Sequence, residues 1–167
     1  MRCNPYAFIR KSGNRRHRGT DIYNSGSKAI QKAYIVLFYD ECSYVFYGEH
    51  IPAGATVLLL ERNAAAYRRG SFTACVGWQE ISQQEDRQTQ LHITDRAMGT
   101  VVVTNRTQKT LKNVRLYYKA WLSPPDIYVG GITYMIEVPL LLPGQTVNLY
   151  PHHYASGFSK VVSVTTS

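Results

Sequence analysis

The sequence lacks long apolar runs and contains few cysteines. No stretch approaches the ~20 consecutive apolar residues of a membrane-spanning helix, so we expect no membrane span in this chain. The apolar stretch at residues 6–9 is too short for the core of a secretory signal peptide, which leaves a cytoplasmic location open. Cys3, Cys42 and Cys75 have no Cys-x-x-Cys spacing, so we predict no metal and no cofactor. Cys42 and Cys75 are compatible either with a disulfide or with two small buried side chains.

Acidic residues are scarce near the start of the chain. Residues 1–32 contain eight lysines and arginines but one acid, Asp21, so they carry +7 of the net charge of +8. Any affinity for polyanions is therefore predicted to reside in a basic N-terminal arm, unless this arm is a solvated tail or Met1 is not the natural start. The candidate contacts with nucleic acid or an anionic polymer are Arg10, Lys11, Arg15, Arg16 and Arg18.

The chain does contain an internal repeat. Residues 24–32 read Asn-Ser-Gly-Ser-Lys-Ala-Ile-Gln-Lys and residues 105–113 read Asn-Arg-Thr-Gln-Lys-Thr-Leu-Lys-Asn, each before a β-branched and aromatic run. Residues 51–60 and 141–150 repeat a second phrase, in which a glycine turn leads into another apolar run. The same order of turns and strands, found twice, predicts an all-β fold made of two tandem modules.

The first module is predicted to be truncated. Two strand-like runs precede Asn105, but only the basic arm precedes Asn24. A sandwich without its leading strands exposes an unpaired edge, so we predict a homodimer formed by strand pairing at this edge. The predicted parts are a basic flexible arm at residues 1–20, a first module at 21–81, a polar linker at 82–89 and a second module at 90–167.

Two glycines, Gly130 and Gly131, interrupt a strand-like segment of the second module. Such a pair marks a bulge or a place where another backbone approaches closely. Trp121, Tyr128 and Tyr134 flank the pair. These aromatic residues are predicted either to pack in the core and across strands, or to form a stacking platform for a sugar or peptide. All five residues are therefore candidates for partner binding.

The sequence gives little support for a catalytic site. Ser156 and Ser159 lie near His152 and His153, and Asp126 would complete a triad, but no Gly-x-Ser-x-Gly elbow accompanies them. Adjacent histidines in a strand point to opposite faces, so His152 and His153 would seldom ligate one metal ion together with His92 or His50. Outside the predicted linker, carboxylates are scattered singly. We therefore predict no catalytic residues and a protein that is not an enzyme.

Several phrases of the second repeat resemble one protein family. Residues 105–111 fit a turn Asn-x-(Ser/Thr)-x-Lys-x-(Ile/Leu), and residues 114–119 fit a strand Val-x-(Val/Leu)-(Phe/Tyr)-Tyr-Lys. Residues 130–134 read Gly-Gly-Ile-Thr-Tyr, and residues 141–146 fit Leu-x-(Ala/Pro)-Gly-(Glu/Gln)-(Ser/Thr). Together they resemble uncharacterised Gram-positive proteins, mainly from gut clostridia, with FxLYD-like, immunoglobulin-like domains. The match covers about residues 98–164, and the first repeat matches more loosely.

The resemblance implies two tandem immunoglobulin-like (Ig-like) β-sandwich modules, the first incomplete at its N-terminus, held outside the cytoplasmic membrane. The family has no assigned reaction, so it transfers no functional residues. We therefore expect a non-enzymatic interaction or structural module of a bacterial cell envelope. It would contact a protein or glycan partner through exposed loops and strand edges. The alternative is polyanion binding, to nucleic acid or an anionic polymer, through the basic arm.

Overall fold

The structure is a computed structural model that describes residues 7–10, 19–38, 42–61 and 74–167. Within these residues the fold is all-β, as predicted, with twelve strands and two single-turn 3-10 helices. No helix in this part of the chain is both long enough and apolar enough to cross a membrane.

The chain divides into two compact units. Unit 1 consists of Met1–Ser82 and Asp126–Ile132, and unit 2 consists of Gln83–Pro125 and Thr133–Ser167. The strands of unit 1 are β1 (Ala7–Arg10), β2 (Gly19–Asn24), β3 (Ile30–Phe38), β4 (Ser43–Ile51), β5 (Thr56–Leu60) and β6 (Ala74–Ile81). The later strands are β7 (Leu91–Arg96), β8 (Thr100–Asn105), β9 (Leu111–Leu122), β10 (Ile127–Leu141), β11 (Thr146–Leu149) and β12 (Ser159–Thr165). The 3-10 helices are Gln88–Gln90 and Ala97–Gly99.

Unit 1 contains two sheets. The first has the strand order β4-β3-β6, and the second has the order β1-β2-β5, all antiparallel. Residues 127–132 of β10 extend the second sheet, because they pair with the far edge of β5 in the parallel sense. The register places Tyr128 opposite Val57 and Val129 opposite Leu58.

Unit 2 repeats this arrangement with one difference. Its sheets have the orders β7-β8-β11 and β10-β9-β12, so that strands β7 to β12 are the counterparts of β1 to β6 in the same sequence. The duplicated module that the sequence predicts is therefore present strand by strand. Within the described residues, however, no strand pairs with the far edge of β11, the counterpart of β5.

Each unit has its own apolar core, made of side chains from both of its sheets. Because side chains alternate along a strand, every second residue faces inward. In β9, Val114, Leu116 and Tyr118 alternate along the strand and are buried. Lys119, which follows Tyr118, is also fully buried. Other core residues include Ile22, Ile35, Phe46 and Leu59 in unit 1 and Val101, Val103, Leu141 and Val164 in unit 2.

An asparagine at the end of the second strand explains the first repeated phrase in unit 1. Asn24 is 1% exposed, and its Oδ1 accepts the backbone N–H of Gly26 at 3.0 Å. Its Nδ2 donates to three carbonyl oxygens, those of Lys28 (2.9 Å), Ile51 (3.1 Å) and Pro52 (3.1 Å). One side chain thus joins the turn after β2 to the turn after β4, which is where the two repeated phrases lie.

Asn105 makes the same contacts in unit 2. It is 1% exposed, and its Oδ1 accepts the N–H of Thr107 at 2.9 Å. Its Nδ2 donates to the carbonyl oxygens of Lys109 (2.8 Å), Leu141 (3.0 Å) and Leu142 (3.1 Å). We call each set an asparagine clamp. Replacing a buried amide that forms this many hydrogen bonds removes all of them at once, and each contributes about 1 kcal/mol.

The prediction of a flexible arm over residues 1–20 is wrong for the described part. Ala7–Arg10 forms β1, which pairs with β2 from Ala7 opposite Asn24 to Arg10 opposite Asp21. Unit 1 therefore has a leading strand and is not incomplete there. The run at residues 6–9 is too short to give a periodicity signal, but β2 supplies its pairing partner. The edge on which the predicted homodimer rests is thus covered by β1.

The predicted linker at residues 82–89 also forms hydrogen bonds with a strand. Asp86 Oδ1 accepts the N–H of Val164 at 2.9 Å, and the N–H of Arg87 donates to the Val164 carbonyl at 2.8 Å. Gln88 Nε2 donates to the carbonyl of Val161 at 3.2 Å. These polar residues therefore satisfy backbone groups along the outer edge of β12, and they belong to unit 2.

Candidate binding groove of unit 2

The predicted aromatic platform is divided between the two units. Tyr128 belongs to unit 1, where it is half-buried and packs against the apolar core. Burial, and secondarily the charge of Asp126, raises the pKa of its hydroxyl. Trp121 and Tyr134 belong to unit 2. The five candidate residues therefore do not form one site within a single unit.

The glycine pair has a structural role in unit 1. Gly130 has a φ of +81°, in the region that favours glycine. A Cβ added to Gly131 would lie 2.0 Å from the carbonyl oxygen of Tyr47 on β4, a distance that no real side chain could occupy. The close backbone approach predicted for the pair is therefore observed at Gly131.

Tyr134 packs against other rings rather than standing alone. Its ring stacks on Tyr118, with centroids 5.6 Å apart, and on His153, with centroids 4.9 Å apart. Tyr118 also meets Tyr154 edge-on at 5.4 Å, and its hydroxyl donates to the carbonyl of His152. These contacts agree with the packing interpretation of Tyr134, because both neighbours come from its own unit.

Trp121 is different, because its partner is a cation. Lys160 Nζ lies 3.4 Å from the centroid of the indole ring. Such a cation–π contact contributes about 0.5–1 kcal/mol at an exposed position. Trp121 lies near the end of β9 and Lys160 on β12, two residues away from direct cross-strand pairing, since Lys160 pairs with Lys119 and Ser159 with Ala120.

Trp121 and Lys160 line an open groove of about 490 Å³ in unit 2. The groove lies between β7 and β12, which are edge strands of the two different sheets. Three apolar residues, Leu91, Ile93 and Val161, line it together with polar ones. The other lining residues are Gln88, His92, Asp95, Tyr154, Gly157 and Ser159. Local sequence patterns did not indicate this site, because it joins strands that are distant in the chain.

The polar groups of the groove hold defined partners. Asp95 Oδ2 accepts the N–H of Gly157 at 2.9 Å. Arg106 Nη2 donates to Nδ1 of His92 at 2.8 Å, which places the proton of a neutral ring on Nε2. Burial, and secondarily the charge of Asp95, raises the pKa of Tyr154 to about 12. The groove therefore offers a cation, an aromatic face and fixed hydrogen-bonding groups.

The residues considered for catalysis and metal binding have structural contacts. Ser156 Oγ accepts the N–H of Gly99 at 3.1 Å and donates to the carbonyl of Arg96. Ser159 Oγ accepts the N–H of Ala155 at 3.1 Å. Among the residues that the structure describes, no three His, Cys, Asp or Glu side chains come together as a metal site. Cys42 is a free, half-buried thiol that packs against the core of unit 1.

The candidate polyanion residues lie mostly outside the described residues. Arg10 is the last residue of β1, and Lys11, Arg15, Arg16 and Arg18 fall in the segment that the structure does not describe. Comparisons of the chain with family models, curated proteins and solved structures found no match.

Proposed function

We propose that this chain is a non-enzymatic interaction module of a bacterial cell envelope, built from two tandem Ig-like β-sandwiches. The two-sheet architecture of each unit supports the Ig-like assignment, and the sequence resemblance supports the envelope location. The observation that favours a binding role is the groove of unit 2. Its volume of about 490 Å³ lies within the range of ~300–1,000 Å³ that is typical of ligand sites.

The chemistry of the groove suits an amphipathic fragment of a protein or glycan. The ring of Trp121 offers an apolar face for a sugar ring or an aliphatic side chain. Lys160 stands at this ring and can pair with a carboxylate of the same ligand. Leu91 and Ile93 also line the groove and supply apolar contacts.

The proposal is tested by titrating the full chain with soluble peptidoglycan fragments, which carry both sugar rings and peptide carboxylates. Trp121→Ala is expected to weaken binding about 2- to 12-fold, since a lost aromatic contact costs about 0.5–1.5 kcal/mol. Leu122→Ala is the matched control, because Leu122 is the next residue and is 43% exposed. If no fragment binds saturably, or if both variants lose affinity equally, the groove is not the binding site.

A second candidate function is polyanion binding, which the charge of +7 on residues 1–32 favours. Deletion of residues 1–20 would remove β1, so substitution is the cleaner test. The triple variant Arg15→Gln, Arg16→Gln and Arg18→Gln is expected to reduce the salt dependence of DNA binding by about 0.9 in log–log slope for each lost phosphate contact. The exposed residues Lys109 and Lys112, changed to Gln, provide the control. Equal slopes in both variants would exclude the arm as the site of DNA binding.

A further inference from the structure

The two units differ on the side formed by the fourth and fifth strands. In unit 1 the segment Asp126–Ile132, which we call the donor segment, covers this side. Its residues Tyr128 and Val129 pair with β5, and Gly131 then passes directly over the carbonyl of Tyr47 on β4. The donor segment thus closes the gap between the two sheets.

The same side of unit 2 is formed by β11 and residues 133–141 of β10, and we call it the open side. Residues 133–141 match β4 position by position, because Ile51 and Leu141 end these strands and both carbonyls are held by an asparagine clamp. On this alignment Glu137 is the counterpart of Tyr47. The open side lies away from the groove, since the groove is bordered by β7 and β12.

Residues on this side of unit 1 are more buried than the corresponding residues on the open side of unit 2. Val57 and Leu59 of β5 are 0% exposed, whereas their counterparts Val147 and Leu149 are only half-buried. His50 and Pro52 are half-buried, but their counterparts are the exposed residues Leu140 (47%) and Leu142 (48%). Unit 2 therefore leaves apolar surface exposed at positions that are covered in unit 1.

The edge strand on the open side, β11, is four residues long and carries no charge, proline or bulge. Natural edge strands usually carry lysine, proline or a bulge that prevents pairing with another chain. β11 reads Thr-Val-Asn-Leu, without a charge or a proline, and its register with β8 is regular from Thr146 to Leu149. Its counterpart β5 reads Thr-Val-Leu-Leu-Leu and accepts a parallel strand.

We propose that the open side of unit 2 accepts an extended strand of a partner polypeptide that resembles the donor segment. This strand would run parallel to β11. It would carry uncharged β-branched and aromatic residues, as in Ile-Tyr-Val, followed by two glycines. The glycines are needed because the backbone must pass over the carbonyl of Glu137 as closely as Gly131 passes over Tyr47. This strand addition is a second mode of binding, independent of the groove.

The test uses the full chain and a capped peptide of residues 126–133, Asp-Ile-Tyr-Val-Gly-Gly-Ile-Thr. We expect saturable one-to-one binding by fluorescence anisotropy, and slower amide hydrogen exchange in β11 when the peptide is present. The control peptide carries Gly131→Val. Valine has the higher strand propensity, so non-specific apolar or aggregative binding would increase, whereas the proposed mode is expected to be lost.

A matched pair of chain variants locates the site. Asn148→Lys puts a charge on β11 at the counterpart of Leu58, which pairs with Val129 in unit 1. It is expected to weaken peptide binding at least tenfold. Met98→Lys adds the same charge at a residue that is 97% exposed in the turn before β8, and is expected to have no effect.

Several results would overturn the proposal. These are no binding at about 1 mM peptide, equal binding of the valine peptide, or protection in β5 or β7 instead of β11. Self-association of the chain that protects β11 without peptide would assign the open side to a second copy and would also overturn it. The groove variant Trp121→Ala is expected to bind the peptide normally, so this test and that of the proposed function can fail separately.

Discussion

Unit 1 and unit 2 share an asparagine clamp but differ in how their fifth strand is covered. The clamps agree to within a few tenths of an ångström in corresponding hydrogen bonds, although few other residues of the phrases are identical. The fifth strands differ because β5 has neighbours on both edges, while β11 has β8 on one edge. Short repeated phrases thus specify the turns, whereas segments distant in the chain decide which edges are paired.

The two units can be followed separately in solution. The chain contains two tryptophans, Trp78 in unit 1 and Trp121 in unit 2. A Trp78→Phe background therefore reports unit 2 by fluorescence, and a Trp121→Phe background reports unit 1. Unfolding of each unit can therefore be measured in its own tryptophan background.

The largest expected effect comes from removing a clamp. Asn105→Ala removes four hydrogen bonds, each contributing about 1 kcal/mol, and takes its side-chain donor away from the buried carbonyl of Leu141, so it is expected to destabilise unit 2 by about 3–4 kcal/mol. Asn24→Ala is expected to cost a similar amount in unit 1. Urea unfolding in the two tryptophan backgrounds measures both values.

Asn148→Ala serves as the control for the clamp, since Asn148 is exposed on β11 and is expected to change stability by less than about 0.5 kcal/mol. If Asn105→Ala behaves like this control, the buried amide is not what holds the two turns together.

A smaller effect is expected from filling the space at Gly131. Gly131→Val forces the donor segment away from β4, because the new Cβ meets a backbone oxygen that cannot rotate away. We expect unit 1 to lose about 1–3 kcal/mol, the usual cost of overpacking, with the Trp78 transition moving and the Trp121 transition unchanged.

Gly77→Ala is the matched change in the same unit. An added Cβ there lies 3.8 Å from the nearest atom, the carbonyl oxygen of Tyr34, which is an ordinary contact. Equal losses from Gly77→Ala and Gly131→Val would mean that the donor segment does not stabilise unit 1.

The smallest expected effect is a pH dependence of the stability of unit 2. The pKa of Tyr154 is raised from 10.0 to about 12, so the folded state holds this proton more tightly than the unfolded state. The stability of unit 2 is therefore expected to fall as the pH rises from 10 to 12. Tyr154→Phe should reduce this fall when unfolding is followed by Trp121 fluorescence. An unchanged pH profile in the variant would contradict the assignment.

The sequence predicted the all-β fold and the duplication because both depend on local patterns. Asn24 and Asn105 stand out by their repeated turns, and the glycine pair predicted a close backbone approach that is observed at Gly131. In each case the residues near the feature in sequence carry the physical cause.

The sequence did not predict features that need pairing between distant segments. β1 is flanked by basic residues and becomes a strand because β2 lies beside it. The donor segment pairs with β5, although more than sixty residues separate them in the chain. The groove likewise joins β7 to β12, and Lys160 was missed because nothing near it in sequence indicates that Trp121 lies within 3.4 Å.

The position of the donor segment also has a consequence for protein synthesis. A ribosome adds residues from the N-terminus at about 5–20 per second, and N-terminal domains usually fold first. Here the N-terminal unit lacks its last strand until Ile132 has been added. By that point the residues of β7, β8 and β9 have already been synthesised. The nascent chain must therefore carry an unfinished sheet edge at β5 while most of the second unit is being made. During that interval, a chaperone that shields exposed strand edges would find its binding site on the earlier unit.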